Sequence, residues 1–242
     1  MCGRYAASQR AEDIAELFGI RPEGVVDRPE PSYNVAPTDP VPAVLSRPGD
    51  DHRGAGRELR LLHWGLVPWW SPDARGAARR INARVETVAA RPAFRAALAA
   101  RRCLLPADGY YEWTTRADGG RQPFFLHPVD PGPIALAGLY ERWRNSAGTT
   151  VWSCTILTTA ASGPLEYLHN RMPMVVAPSN WDAWLDPGLV DCTEALALPS
   201  SPAPLLTAHR VDQRVGNVRQ SGSGLIAPAE ADPFRHGCGS PD

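Results

Sequence analysis

The sequence contains no lysine; all 25 of its basic residues are arginine. The α-amine is therefore the one primary amine of the chain. Schiff-base chemistry, ordinarily a lysine's work, would have to happen there. A composition bias towards arginine would leave the same absence, so it carries modest weight. Long apolar runs are also missing. No stretch of about 18 apolar residues occurs, which excludes a membrane-spanning helix. Met1-Cys2-Gly3-Arg4 leads into polar sequence rather than the apolar stretch of a signal peptide. The expectation is a cytoplasmic or nucleoid-associated protein. Cysteines are few and scattered, at positions 2, 103, 154, 192 and 238. There is no C-x-x-C and no H-E-x-x-H, which argues against a disulfide framework or a zinc site and leaves free thiols. No cofactor is called for. An excess of one charge is lacking as well. Twenty-five basic residues face 26 acidic ones, for a net charge of −1. That is not the balance of a general nucleic-acid binder, but a local basic groove remains open.

Turn formers are plentiful, with 25 prolines and 21 glycines, and the apolar share of 43% suffices for a core. An amphipathic helix is expected after Ser8, with Ile14, Leu17 and Phe18 on one face and Gly19 as its stop. Residues 21–40 read as a proline-rich loop. Strands are expected at 41–46 and 58–64 around a polar turn, then a loop over 65–80 and a helix from Pro92 to about Arg101. Further strands fit 103–105, 109–114, 123–127, 134–140, 150–157 and 205–209. Ser179 with Asp182, and Asp191 with Glu194, resemble capping boxes of two short helices. The sum is an α+β fold: one β-rich domain over 1–226, short strands around a barrel-like core, small peripheral helices, and a loose tail over 227–242.

Cys2 draws attention once Met1 is considered. Initiator methionine is removed efficiently before a small residue, and removal leaves an amine and a thiol on one carbon. The amine titrates near ~7.7–8.0 and the thiol near ~8.5. Such a pair condenses with an aldehyde to an imine, and the thiol then closes a five-membered thiazolidine. Position alone favours a plainer role, a small residue in a first strand.

Four other segments bear on the choice. Asn82-Ala83-Arg84-Val85-Glu86 offers an amide to hold an oxygen and a guanidinium to fork onto phosphate; it reads equally as a strand-to-helix turn. Gly109-Tyr110-Tyr111-Glu112-Trp113 sets a carboxylate in an aromatic run. By strand alternation Glu112 shares Tyr110's face; burial there would raise its pKa towards neutrality, the alternative being that Glu112 lies on the strand's solvent face. His169-Asn170-Arg171-Met172-Pro173 places a histidine after a helix end and before a strand, as an acid/base or as a helix C-cap cation. The other histidines read as structural or surface. Trp69 and Trp70 are adjacent, so they point in different directions. One at least can be an exposed stacking platform, the alternative being a proline–aromatic corner of the core.

Taken in order, these segments resemble the SRAP family, the SOS response-associated peptidases, which includes abasic-site shield proteins. The resemblance rests on Cys2-Gly3-Arg4, Tyr33-Asn34-Val35-Ala36-Pro37, Trp64-Gly65-Leu66-Val67-Pro68, Ile81-Asn82-Ala83-Arg84-Val85-Glu86, Arg102-Cys103-Leu104, Gly109-Tyr110-Tyr111-Glu112-Trp113, Gln122-Pro123-Phe124, His169-Asn170-Arg171-Met172-Pro173 and Val215-Gly216-Asn217-Val218. It implies that Cys2 is the nucleophile, forming a thiazolidine crosslink with an abasic site in single-stranded DNA. Glu112 would relay protons, His169 would assist sugar-ring opening and release, and Asn82 would position the N-terminus. Arg4, Arg84 and Arg171 would clamp phosphates, Trp69 or Trp70 would stack near the lesion, and Asn34, Pro37 and Thr158 would line the site. One monomer would suffice. Other readings stay open: an N-terminal-nucleophile hydrolase acting on peptides, including removal of Met1; a DNA-binding module without a covalent step; and a structural β-rich domain.

Overall fold

Alternation of side chains along five strands builds the centre of the molecule. The computed structural model describes residues 2–46, 56–130, 132–162, 165–198 and 205–229. In chain order the described elements are β1 (Tyr5–Ala7), α1 (Ala11–Leu17), β2 (Ser32–Val35), β3 (Pro40–Ser46), β4 (Arg57–Trp64), β5 (Asn82–Arg84), α2 (Val85–Val88) and α3 (Pro92–Ala100). They continue with β6 (Arg102–Ala107), β7 (Gly109–Thr115), β8 (Arg121–Pro128), β9 (Ile134–Arg144), β10 (Thr150–Ala160), β11 (Arg171–Pro173), α4 (Trp181–Leu185), α5 (Cys192–Ala197) and β12 (Leu206–Arg210).

Strands β10, β4, β3, β6 and β9 pair in that order, and β9 pairs back onto β10, so the five close into a barrel. Val41, Ala43 and Leu45 belong to one apolar cluster with Leu62, Trp64, Cys103, Leu105, Leu136, Cys154 and Ile156. The intervening Val44, Leu104, Ala137, Leu139 and Leu157 belong to a second, with Phe18 of the α1 end, Leu98 of α3 and Trp181 and Trp184 of α4. The first set fills the barrel and the second seats the helices on its wall. Gly138 is opposite Cys103 and Ile156 on its two flanking strands. A Cβ there would lie 2.3 Å from Leu105 Cδ1 and 2.7 Å from Cys103 Sγ. Gly138→Ala is therefore expected to destabilise the fold by about 1–3 kcal/mol, as overpacked cores do. Urea unfolding measures this, and an unchanged midpoint would mean that the barrel interior yields.

The second sheet, ordered β12-β8-β7-β1-β2, sends Tyr5, Tyr110 and Leu126 into the barrel's cluster. Tyr5 meets Trp64 edge to face, with ring centroids 5.2 Å apart. Its alternate residues, Ala6, Tyr111 and Phe125, pack outward on Val211, Val215 and Leu225.

The fold agrees with the expected α+β class and its barrel core, and most long strands fall where the pattern put them. Several details differ. The chain forms β1 before its first helix. Ser8 does not cap that helix; its N–H donates to Asp108 Oδ2 at 2.7 Å. Arg10 stands at the N-cap, and both its backbone N–H and its guanidinium donate to the Asp13 carboxylate. Residues 32–35 are strand rather than loop, because β1 pairs with them. Asn180, not Ser179, precedes α4 without a side-chain cap bond, while Asp191 does cap α5, accepting from Thr193 and Glu194 N–H. The polar turn expected before residue 57 and the tail from 230 lie outside the described residues, but Ala229 N–H donates to Arg210 O at 2.8 Å.

Candidate active site and nucleic-acid interface

Cys2 enters the barrel's end just before β1 and is fully buried, in one cluster with Tyr5, Trp64, Tyr110 and Cys154. Asn82 Nδ2 donates to the Cys2 carbonyl at 2.7 Å. Asn82 opens β5, a three-residue strand that pairs parallel with β10, opposite Ile156. Its Oδ1 is buried with no protein donor. Burial pushes the Cys2 thiol pKa up, and the Glu112 carboxylate pushes it further. The chain's α-amine charge and the Arg4 backbone N–H oppose them.

Glu112 is nearly buried, 5% exposed, on β7. Its neighbours Tyr111 and Trp113 join the outward cluster while Tyr110 faces inward. Glu112 thus shares Tyr110's face, the one turned to Cys2. Burial raises its pKa; the α-amine, His169 and Arg121 charges act against the rise. Alternation along β7 already sets Tyr110 beside Glu112 in the sequence; Arg121 gives no such signal and comes within range of Glu112 only through the β7–β8 pairing.

His169 follows a 3-10 helical residue, Leu165, and a turn over 166–168, and precedes β11. The Arg171 backbone N–H donates to its Nδ1 at 2.9 Å. A neutral ring therefore carries its proton on Nε2. Strand β11 pairs with the end of β10, placing Thr158 opposite Pro173 on one side and Arg84 on the other. Asn82, Arg84, Thr158 and Arg171 are thus gathered at one end of β10.

The arginines differ in commitment. Arg171 forks onto Glu86 at 2.6 and 3.0 Å and also donates to Thr158, through both its carbonyl and its hydroxyl oxygen. Glu86 is half exposed, so that pair is weak and open to exchange with phosphate. Arg4 Nη1 donates to Asn34 Oδ1 at 2.7 Å and to Val215 O at 2.8 Å. Its guanidinium also faces the Trp113 ring. Asn34 in turn donates to Asn217 O and Gln220 O, both at 3.0 Å. Arg4 and Asn34 therefore hold the first residues against β2 and the 215–220 segment. Arg84 is exposed. Pro37 lies in the tight turn before β3, where Thr38 adopts φ +78° and donates its N–H to Trp64 O. Trp69 and Trp70 are 64% and 49% exposed, on the loop after β4. His127 and His209 contact each other and Phe125, away from these groups.

The sequence model of the family described as SOS response associated peptidase (SRAP) matches residues 1–218. The chain belongs to the SRAP family. It is 34% identical over 231 residues to the abasic site processing protein YoqW of Bacillus subtilis, covering 93% of this chain and 99% of that one. It is 34% identical over 238 residues to YedK of Escherichia coli, also named an abasic site processing protein, covering 94% and 100%. A chicken relative with the same description, HMCES, is 29% identical, covering 95% of this chain and 78% of that one. Among solved structures, a protein from Bacteroides thetaiotaomicron superposes with a TM-score of 0.80 at 22% identity, covering 94% of this chain and 100% of that one. It speaks to the fold alone. Among the described residues no helix is long and apolar enough to cross a membrane, and no group of three or more His, Cys, Asp and Glu could hold a metal ion.

Proposed function

We propose that this SRAP protein processes abasic sites in single-stranded DNA by bonding covalently to them through Cys2 once Met1 is gone. The observation that carries the reading is the joining of Cys2 to Asn82 on the inward face that Glu112 shares. The names of the SRAP relatives support the lesion as substrate.

The chemistry balances without an added reagent. The Cys2 α-amine adds to the aldehyde of the ring-opened deoxyribose, and the carbinolamine loses one water to give an imine. The thiol sulfur adds to the imine carbon, its proton passes to nitrogen, and a thiazolidine closes. Glu112 is the group that takes and returns protons, with a pKa lifted towards neutrality. His169 assists ring opening and, in reverse, release. Arg84 and Arg171 hold phosphates flanking the lesion, and Trp69 and Trp70 stack on exposed bases.

Mixing the protein with a single-stranded oligonucleotide bearing one abasic site tests this. Denaturing gels and intact mass spectrometry should show a one-to-one adduct lighter by one water than its parts, with Met1 absent. No adduct from the wild-type protein removes the covalent reading. Steady turnover of added peptides in its place would favour a peptidase, which the family description also names.

A further inference from the structure

The loop after β4 carries two adjacent tryptophans into solvent, yet buried side chains grip its backbone at every second residue. The Val67 N–H donates to Ser153 Oγ at 2.9 Å. The Trp69 N–H donates to Glu141 Oε2 at 3.1 Å. The Ser71 carbonyl accepts from Trp143 Nε1 at 2.6 Å. Ser153, Glu141 and Trp143 are 0%, 3% and 8% exposed. They form one patch on the barrel's outer wall: Ser153 is opposite Glu141 across the β9–β10 pair, and Trp143 follows Glu141 by two residues. The Trp143 ring packs beneath the loop against Val67 and Ala77.

Glu141 is the costly member. A buried carboxylate needs compensation, and apolar residues of similar volume often serve stability as well or better. Arg101 pairs with its Oε1. The other oxygen is aimed at one backbone N–H, that of Trp69. What the charge obtains there is a fixed direction for the chain where the two rings leave it.

We propose that Glu141, supported by Ser153 and Trp143, is a positioning residue that presets Trp69 and Trp70 as a stacking platform for nucleobases. This rests on the single-stranded DNA reading above. A preset loop spares the ordering cost that a loose one would incur on binding.

Two measurements test it: the Kd for a lesion-free, fluorescently labelled single-stranded oligonucleotide, and the adduct rate at saturating abasic oligonucleotide. Glu141→Ala should raise Kd about tenfold, within the range of one lost base stack. Trp143→Phe, which removes only the ring N–H, should raise it about threefold. The saturating rate should stay within about twofold in both. Glu141→Gln keeps an acceptor for the Trp69 N–H and should restore most of the affinity. On a Trp69→Ala/Trp70→Ala background, Glu141→Ala should add no further cost. Should Glu141→Ala fail to fold, Trp143→Phe carries the comparison. Unchanged Kd in the variants, or a cost that persists without the tryptophans, overturns the positioning role alone. A wild-type protein that does not bind single-stranded DNA overturns both readings.

Discussion

Cys2→Ala is expected to leave no adduct that survives heat, while binding to lesion-free single-stranded DNA stays within about twofold. Alanine is small enough for methionine removal, so the variant keeps its α-amine. It can still form the imine, which water reverses and borohydride traps. The predicted pattern is thus specific: a band on a denaturing gel only when reductant is present. Cys2→Ser should behave similarly, since a hydroxyl is a much weaker partner for ring closure. The order of events follows from the site. Burial and the Glu112 carboxylate hold the Cys2 thiol well above its ordinary pKa. A thiolate attacking first would work against both. Amine attack followed by thiol closure needs no free thiolate beforehand. A heat-stable, reductant-independent adduct in Cys2→Ala would place the bond on another residue and end this account.

Local pattern carries some parts of the protein well and others poorly. Strands β9 and β10 run 11 residues each, long enough for alternation to show. The same rule puts Glu112 on Tyr110's face from the sequence alone. Strands β1, β5 and β11 have three residues each and carry no readable period. They exist because a longer strand is there to pair with, which for β1 and β5 is distant in sequence and for β11 is the preceding strand β10. Asn82 reaches Cys2 across 80 residues, and Arg4 reaches Val215 across 211. Residue type told that Arg4 could bind an anion. It could not tell that Asn34 and Val215 already hold it. The exposure of both tryptophans was half visible in their adjacency, but the buried carboxylate beneath them lies 72 residues further on. Glu141 gave no local signal, because its role depends on a loop packing against the barrel's outer wall.

Glu112→Gln should slow adduct formation by about a hundredfold and, at neutral pH, raise the melting temperature. The two effects share one cause. Burial raises the Glu112 pKa above its ordinary 4.5. The folded state therefore holds this proton more tightly than the unfolded state does. Below about pH 4.5 the residue is protonated in both states and the substitution is nearly neutral. As pH rises through the raised folded value, the wild type loses stability that glutamine does not lose. The advantage of Glu112→Gln then levels off above that value. The kinetic loss matches the share that one acid/base group usually contributes. Its sign is informative, because Glu112 also opposes ionisation of the Cys2 thiol. Removing the carboxylate should ease thiolate formation. If thiol ionisation limited the rate, Glu112→Gln would be faster than wild type. A slower variant that is also more stable at pH 7 points to a lost proton carrier rather than a damaged fold. Melting curves across pH 4–8, paired with single-turnover rates, separate the cases. A variant with wild-type kinetics removes Glu112 from the chemistry, and one that is less stable at pH 7 shows its carboxylate to be structural.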